Sequence, residues 1–449
     1  MGKLFGTDGI RGKANAYPMT AEIALRTGRA VARRFCRENH GKVIIGKDTR
    51  LSGDIFEMAL AAGLCSMGVD VLLAGVIPTP GIAYLCRDME DVAAGIVVSA
   101  SHNPYEDNGI KIFDKDGFKL DPAVEEELET TILDESNSMM SENMTSPGRV
   151  LILDNARDRY QAFLEQVIPG ADFSGLKAVL DCSNGASSFI ASDLFNGLGL
   201  DVTVLSASPD GKNINRNCGS EHLETLIETV KTSRADLGLA FDGDADRLIA
   251  VDASGRPVSG DQLIAITAWH EKNQGSLSND TVVTTVMSNM GLGACFRDLG
   301  ISHVMAQVGD RNVMLDMKRT GASVGGEDSG HMIFLNHHST GDGLISALKL
   351  LHVMKSTDRS LADLAGIMTI FPQKLINVTV KEKPDISTVT EVQNAITDVE
   401  KQLEGKGRVL VRYSGTQNMC RVMVEAPTVE LTDVFAEKIA DAVRRSIGG

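Results

Sequence analysis

The stretch KVIIGKDTRLSGDIFEMALAAGLCSMGVDVLLAG, residues 42–75, decides the fold class. It opens with a short apolar, β-branched run and passes through a polar loop. It continues with apolar residues near i, i+3 and i+4, the spacing typical of a helix. Gly68 follows, and glycine ends a helix well because it takes φ > 0 without strain. A second β-branched run then predicts a βαβ unit with parallel strands.

The same rhythm returns twice. It recurs in KAVLDCSNGASSFIASDLFNGLGLDVTVL, residues 177–205, and in TVVTTVMSNMGLGACFRDLGISHVMAQVGD, residues 281–310. These two helical stretches reach Gly199 and Gly300 before the next β-branched run. Repeats about a hundred residues apart predict three related α/β domains. The alternative is that any α/β protein repeats this rhythm without having related domains.

The last part of the chain follows another pattern. One alternating strand, one helix, two strands and a closing helix predict a small α+β domain. Composition shifts then give four expected domains at 1–150, 151–254, 255–370 and 371–449. Within the first range, the Ser-, Asn- and Met-rich segment 133–148 has no periodic face, and we expect a surface excursion there.

Charge and cysteine usage exclude several classes of protein. The formal net charge of −16 makes nucleic acid and anionic membranes poor partners. The seven cysteines are scattered without C-x-x-C spacing, which indicates reduced thiols in the cytoplasm. The N-terminus lacks the apolar core of a signal peptide, and no run approaches a membrane span. We therefore expect a cytoplasmic protein.

The sequence DGDADR, residues 242–247, follows an apolar strand. Asp242, Asp244 and Asp246 on one tight loop can face one centre, and their oxygens are the ligands that Mg²⁺ prefers. We expect one metal ion there, with a phosphate oxygen as a further ligand. A solvated acidic turn, or a loop in which Asp242 is a nucleophile, are the alternatives.

The sequence SASHNPYEDNGIK, residues 99–111, places hydroxyl groups at the end of a predicted strand. Open α/β sheets bind ligands at that end. No G-x-S-x-G motif is present, so acyl transfer is not indicated. A serine can instead bear a phosphoryl group beside a metal ion. Taken alone, Ser101 and Asn103 are more typical of a turn cap.

Two further loops complete the pattern. GGEDSGH, residues 325–331, combines flexible backbone with carboxylate and hydroxyl groups, which suits a polyol such as a sugar. RYSGTQNMCR, residues 412–421, sets two arginines around small residues, which suits a phosphate group. Ordinary polar turns and a hairpin with surface arginines are the alternatives. One such motif in each domain indicates phosphoryl transfer on a sugar phosphate.

The order SASHNP, DGDADR, GEDSGH, RYSGTQ resembles the α-D-phosphohexomutase superfamily over essentially the whole chain. LFGTDGIRG and AFDGDADR are similar to the members that act on glucosamine phosphates, and GKDTR, DCSNGA, NIN and QVGDR also match. The resemblance implies three α/β domains and a TATA-box-like fourth domain around a central cleft. It implies interconversion of glucosamine 6-phosphate and glucosamine 1-phosphate, for UDP-N-acetylglucosamine and cell-wall precursors. A monomer or homodimer is expected.

The resemblance also assigns roles to residues. The phosphoserine is Ser101, which binds Mg²⁺ together with the three aspartates, and a bisphosphorylated sugar is the intermediate and activator. The resemblance implies catalytic roles for Lys111, His331 and Arg247. It implies that Glu327 and Ser329 bind the sugar. It implies that the phosphate is bound by Arg412, Ser414, Gly415, Thr416 and Arg421. Lys111 can act as a base if nearby cations lower its pKa.

Some residues depart from the family pattern. Gln417 and Asn418 replace the usual Glu-Pro, Tyr413 precedes the serine of the phosphate loop, and Asp328 stands where this subgroup more often has Gln. Three rival functions remain open at this point. They are a phosphomannomutase/phosphoglucomutase of the same superfamily, a metal-dependent sugar-phosphate phosphatase and a non-catalytic sugar-phosphate sensor.

Overall fold

The computed structural model describes residues 4–6, 8–36, 41–134, 146–414 and 418–449. It forms two compact units. The first contains Met1–Val286 and Ile301–Gly366, and the second contains Met287–Gly300 and Ile367–Gly449. Most of the segment expected as a surface excursion, residues 135–145, lies outside the described residues, as do Gly415 and Thr416 of the expected phosphate loop.

The strands of the described residues are numbered in chain order. They are β1 Phe5–Gly6, β2 Gly9–Lys13, β3 Lys42–Lys47, β4 Val71–Val76, β5 Val92–Val98, β6 Asp107–Asp114, β7 Val150–Ile152, β8 Lys177–Asp181, β9 Asp201–Leu205, β10 Leu237–Phe241, β11 Leu248–Asp252, β12 Pro257–Val258, β13 Thr281–Thr285, β14 Ser302–Ala306, β15 Val324–Gly326, β16 Met332–Phe334, β17 Gln373–Thr379, β18 Arg408–Tyr413 and β19 Met419–Glu425.

The helices are numbered in the same way. They are α1 Ala21–Phe35, α2 Gly53–Cys65, α3 Thr79–Asp88, α4 Pro122–Leu133, α5 Ala156–Val167, α6 Ala191–Gly197, α7 Glu224–Ser233, α8 Gly260–Gln274, α9 Met290–Asp298, α10 Asp310–Thr320, α11 Gly343–Thr357, α12 Leu361–Ala365, α13 Thr390–Leu403 and α14 Val429–Ile447. Short 3₁₀ helices lie at Ala186–Phe189, Ser278–Asp280 and Ile386–Thr388. No helix of the described part of the chain has both the length and the apolar composition of a membrane span.

The three predicted repeats are confirmed, because the strands of each pair in parallel: β3 with β4, β8 with β9, and β13 with β14. Gly68, Gly199 and Gly300 follow helices α2, α6 and α9 with φ between 66° and 84°. The first two repeats lie wholly in the first unit. In the third, the strands belong to the first unit and α9 belongs to the second.

The structure extends each repeat by two strands. The sequence predicted the third strand, as the apolar run before each motif, but it did not predict the fourth. The sheets contain the orders β4-β3-β5-β6, β9-β8-β10-β11 and β14-β13-β15-β16. Counted along the chain, the third strand of each repeat (β5, β10 and β15) is parallel to the first (β3, β8 and β13). The fourth strand (β6, β11 and β16) is antiparallel to the third. The loop between the third and fourth strands contains Ser101 in the first sheet, the aspartates in the second and Glu327 in the third. The three motifs therefore occupy the same position in three related domains.

The first sheet places two loops side by side. Because β3 and β5 are parallel neighbours, their carboxyl ends meet at one sheet edge, where Asp48 and Ser99 follow the two strands. Lys111 pairs with Val97 near the same end of β5. Helices α1 and α2 cover the sheet, and the core between them is aliphatic, as in Val43, Ile45 and Leu60.

The second unit contains the predicted α+β domain. Strands β17, β19 and β18 form an antiparallel sheet in that order. Helices α13 and α14 pack against it through an aliphatic core that includes Val399, Val422 and Ile439. The loop between β18 and β19 holds the expected phosphate motif, with Arg412 directly opposite Arg421 in the ladder.

Candidate active site

The aspartate loop follows β10, whose five residues are all buried. One oxygen each from Asp242, Asp244 and Asp246 lie within 4.8 Å of one another, and all three residues are buried. Ala245 makes the tight turn between them with φ of 58°. The predicted convergence of three carboxylates on one centre is confirmed.

The donor set fits a divalent cation. Asp244 Oδ1 and Asp246 Oδ1 are buried without a hydrogen-bond partner among the described residues. A buried carboxylate oxygen without a partner is costly unless a cation neutralises it. Burial and the charges of Asp246 and Asp244 raise the pKa of Asp242 well above its ordinary value. The loop therefore has the oxygen ligands, the burial and the carboxylate oxygens without hydrogen-bond partners that a Mg²⁺ site needs.

Ser101 reaches this loop. Its Oγ donates a 2.5 Å hydrogen bond to Asp242 Oδ2. Ser99 is also buried, but its Oγ donates to Asp48 Oδ2 at 2.6 Å and accepts from the backbone N–H of Ser101 at 3.0 Å. The sequence spacing did not separate the two serines; in the structure, Ser101 faces the aspartates while the hydroxyl of Ser99 is engaged with Asp48.

Lys111 lies among carboxylates. Its Nζ is 2.7 Å from Asp244 Oδ2, 3.3 Å from Asp8 Oδ2 and 3.4 Å from Asp246 Oδ2. Burial acts to lower the pKa of Lys111, but these three charges outweigh it and raise the pKa well above its ordinary value. The condition set for a base role, a pKa lowered by nearby cations, is not met in this structure, because the neighbours of Lys111 are mainly anions.

His331 and Arg247 flank the third aspartate. His331 Nδ1 lies 3.6 Å from Asp246 Oδ2, and its Nε2 lies 3.6 Å from Asp310 Oδ2. Burial acts to lower the pKa of His331, but the two carboxylates raise it overall. Arg247 Nε is 3.8 Å from Asp246 Oδ1, and its backbone N–H donates to Asp242 at 3.1 Å. Both predicted residues thus lie beside the aspartate loop.

The expected sugar loop is the turn between β15 and β16. Glu327 Oε1 accepts a 3.0 Å hydrogen bond from the backbone N–H of Gly309. Ser329 Oγ is buried with no hydrogen-bond partner among the described residues. Asp328 is exposed. His331, at the end of this turn, connects the loop to the aspartates.

Arg412 and Arg421 lie opposite each other in the second unit, and neither forms an ion pair with a carboxylate of the described residues. Burial and the charge of Arg421 lower the pKa of Arg412. Arg421 Nε is buried and has no hydrogen-bond partner among the described residues. Ser414 closes the hairpin by donating its N–H to Met419 O at 2.9 Å. Facing guanidinium groups of this kind have the charge and the planar donor geometry that binding an anion would require.

The sequence interpretation missed an ionic network beside the aspartates. Asp8 contacts Arg11, Lys111 and Lys119, and Lys119 also contacts Asp310. Burial acts to raise the pKa of Asp8, but the three cations hold it well below its ordinary value. Part of the sequence signal was present, since Asp8 and Arg11 lie in GTDGIRG and Asp310 lies in QVGDR, two motifs whose residues had been given no role. Lys119 lies in no motif that the sequence analysis quoted.

Four sequence profiles match nearly all of this chain. They describe phosphoglucomutase/phosphomannomutase alpha/beta/alpha domain I at residues 2–139, domain II at 158–255, domain III at 259–371 and the C-terminal domain at 375–442. The chain belongs to the phosphoglucomutase/phosphomannomutase family.

Two members of this family are similar to the chain over its whole length. A phosphoglucosamine mutase of Syntrophus aciditrophicus is 54% identical over 450 residues, covering 100% of both chains. A phosphoglucosamine mutase of Desulforapulum autotrophicum is 52% identical over 462 residues, covering 99% of this chain and 100% of the relative.

Solved structures agree on the fold. A phosphoglucomutase/phosphomannomutase family protein of Burkholderia thailandensis matches with a TM-score of 0.82 at 24% identity, covering 98% of this chain and 97% of that one. The N-acetylphosphoglucosamine mutase of Aspergillus fumigatus, solved with GlcNAc-6P and magnesium, matches with a TM-score of 0.69 at 18% identity, covering 99% and 96%.

Proposed function

We propose that this chain is an isomerase that interconverts glucosamine 6-phosphate and glucosamine 1-phosphate, the activity of a phosphoglucosamine mutase. The observation that carries the proposal is the 2.5 Å hydrogen bond from Ser101 Oγ to Asp242 within a cluster of three buried carboxylates. The full-length relatives with about 50% identity support the choice of substrate. UDP-N-acetylglucosamine and cell-wall precursors are the products that this activity would supply.

The proposed reaction passes one phosphoryl group through Ser101. A hydroxyl oxygen of the sugar phosphate attacks the phosphorus of the phosphoserine, the bond between that phosphorus and Ser101 Oγ breaks, and a bisphosphorylated sugar forms. This intermediate turns over, and the serine oxygen then takes the other phosphoryl group. Protein groups in such a transfer mainly position the reactants and neutralise charge.

Asp242, Asp244 and Asp246 would hold one Mg²⁺ ion, with the phosphoserine as the fourth contributor. Bound there, Mg²⁺ would neutralise charge on the transferred group. The orphaned oxygens of Asp244 and Asp246 support this assignment. Arg247, beside the same loop, would add a positive charge that does not depend on the ion.

Proton transfer is assigned to Lys111 and His331, two residues beside the aspartates whose side chains can exchange a proton. Both are buried and both contact Asp246. In the protein without metal, the neighbouring carboxylates raise the pKa of Lys111, so we assign it the donor role toward the departing serine oxygen. His331, which lies beside the same aspartate, is the second candidate for proton transfer.

Substrate binding is divided between two loops. Glu327 and Ser329 would bond sugar hydroxyl groups, and the free Ser329 Oγ supports this. Arg412, Arg421, Ser414, Gly415 and Thr416 would hold the phosphate that is not transferred. The same proposal includes four domains at 1–150, 151–254, 255–370 and 371–449, and a cytoplasmic location.

A substrate panel with Ser101→Ala tests the proposal. The panel contains the 6-phosphates of glucosamine, N-acetylglucosamine, glucose and mannose, with product isomers read by NMR. We expect the wild-type protein to turn over glucosamine 6-phosphate fastest. The Ser101→Ala variant should lose more than about 10³-fold in kcat while still binding the sugar phosphate. Wild-type turnover by that variant refutes the role of Ser101.

The panel also separates the rival functions. A phosphomannomutase/phosphoglucomutase would prefer mannose or glucose phosphates over the amino sugar. A phosphatase would release inorganic phosphate without forming an isomer; in the structure both oxygens of Asp242 accept hydrogen bonds, from Ser101 Oγ and from the backbone N–H of Arg247. A sensor would bind the sugar phosphate without turnover.

A further inference from the structure

The loop that contains Ser101 is held by an arginine whose guanidinium group is completely buried. Arg50 NH2 donates to Ser101 O at 2.9 Å and to Asn103 O at 2.8 Å, and its NH1 donates to Asp107 O at 3.0 Å and also to Pro104 O. One guanidinium group thus binds four backbone carbonyls of a single loop. Asp48 fixes its orientation, since Asp48 Oδ2 accepts from Arg50 Nε at 2.8 Å.

Asn215 holds two of the same carbonyls from a different segment. Its Nδ2 donates to Ser101 O at 2.8 Å and to Asn103 O at 3.0 Å. Asn215 is buried, and its own N–H is anchored to Ser183 O at 2.9 Å. The carbonyls of Ser101 and Asn103 therefore each accept two donors, one from the segment after β3 and one from the segment before α7.

These bonds act on a residue in an unfavourable conformation. Ser101 has φ of 51°, which is in the left-handed region. For a residue other than glycine this conformation is unfavourable, because Cβ comes too close to the following carbonyl oxygen. Its carbonyl oxygen also lies against Gly243, where an added Cβ would come within 2.6 Å. Without donors on the carbonyl, the loop can relax away from the aspartates.

We propose that Arg50 and Asn215 are positioning residues that clamp the carbonyls of Ser101 and Asn103 and thereby hold the Ser101 hydroxyl group against the aspartate loop. This inference rests on the proposed function, because it gives Ser101 the transferring oxygen. Neither residue touches the substrate or the phosphoryl group. Both act by fixing where that oxygen lies.

Asn215→Ala is the main test, and Asn213→Ala is its matched control. Asn213 lies two residues away in the same segment, and its Nδ2 bonds Ser208 O instead of the serine loop. Arg50→Lys is the second variant. Lysine keeps the charge beside Asp48, but its single ammonium group cannot span four carbonyls. Each variant is purified as the full chain and compared with wild type.

Five quantities are measured: kcat and KM for the mutase reaction, Mg²⁺ affinity by calorimetry, Tm, and the single-turnover loss of phosphoserine by intact mass. Misplacement by about 1 Å can cost about 100-fold in rate. We expect kcat and single-turnover transfer of Asn215→Ala to fall together by about 10- to 100-fold. KM and Mg²⁺ affinity should stay within about twofold of wild type. Asn213→Ala should keep the wild-type kcat.

The outcomes distinguish this inference from the proposed function. If wild type turns over and Asn215→Ala and Arg50→Lys match it, the clamp is refuted and the proposed function stands. An equal loss in Asn213→Ala, or a loss that follows Mg²⁺ affinity or Tm, also refutes it. If wild type itself forms no isomer, the proposed function fails and the inference fails with it.

Discussion

Gly243→Ala tests whether the close approach of two loops is required for activity. Gly243 lies between two of the aspartates, and an added Cβ would be 2.6 Å from Ser101 O, 2.8 Å from Ile214 Cδ1 and 2.9 Å from Asn215 Nδ2. Two of these neighbours belong to the arrangement that holds the serine. The nearest neighbour, Ser101 O, is a backbone atom, so it cannot move away from the added Cβ without moving Ser101.

The size of the effect follows from the distances. To reach an ordinary contact of 3.4 Å from 2.6 Å, Cβ and Ser101 O must separate by 0.8 Å. Since a 1 Å misplacement of reacting groups can cost about 100-fold, we expect kcat to fall by about 10- to 100-fold. This corresponds to about 1.4–2.7 kcal/mol of lost transition-state stabilisation. KM should change little, because the loops that contact the sugar are not displaced directly.

The assay is steady-state mutase kinetics with Tm measured in parallel. Gly197→Ala, in the same sheet domain, is the matched control, because nothing lies within 4 Å of its added Cβ. We expect that control to keep the wild-type kcat. A Gly243→Ala variant with wild-type kcat would refute the claim that this contact sets the position of Ser101.

Three further predictions use other parts of the molecule. Removing metal with EDTA should stop turnover, and adding Mg²⁺ should restore it. Asp244→Asn should weaken Mg²⁺ binding, as measured by calorimetry. Turnover without metal would contradict the assignment of the aspartates as metal ligands. Arg421→Ala should raise KM for the sugar phosphate by about tenfold or more, since a charge-assisted phosphate contact contributes about 1.5–3 kcal/mol; an unchanged KM argues against the anion site. Burial raises the pKa of Asp342 to about 7, so its contribution to stability is complete below about pH 4 and is lost as the pH rises to 7. Asp342→Asn, which keeps a helix-capping oxygen, should flatten the fall of Tm over this range, and parallel Tm curves would exclude the effect.

The sequence predicted the parts of the fold that depend on local periodicity. The three βαβ repeats, the α+β C-terminal domain and the glycines after the helices all follow from residues that are close together in the chain. The antiparallel fourth strand in each sheet was not predicted. It returns beside the third strand after a short polar loop, and β16, with three residues, is too short for an alternating pattern to register.

The site residues also divide into those that local sequence could predict and those that depend on the fold. A D-x-D-x-D sequence is local, so the convergence of three carboxylates could be read directly from residues 242–246. The surroundings of Lys111 could not. Its three carboxylate partners come from residues 8, 244 and 246, and only the fold brings them to it. The sequence alone therefore could not give the direction in which the pKa of Lys111 is shifted.

Which of Ser99 and Ser101 faces the aspartates also depends on residues that are distant in the sequence. Both hydroxyl groups follow one strand, and alternation along an extended chain would point them to the same side. The left-handed turn at Ser101 breaks that alternation, and Asp48, after the neighbouring parallel strand, engages Ser99. The serine aimed at the aspartates is therefore selected by residues about 50 positions earlier and more than 100 positions later in the chain. This is why Arg50 and Asn215, which contact no substrate in the proposed mechanism, should affect the transfer step more than substrate binding.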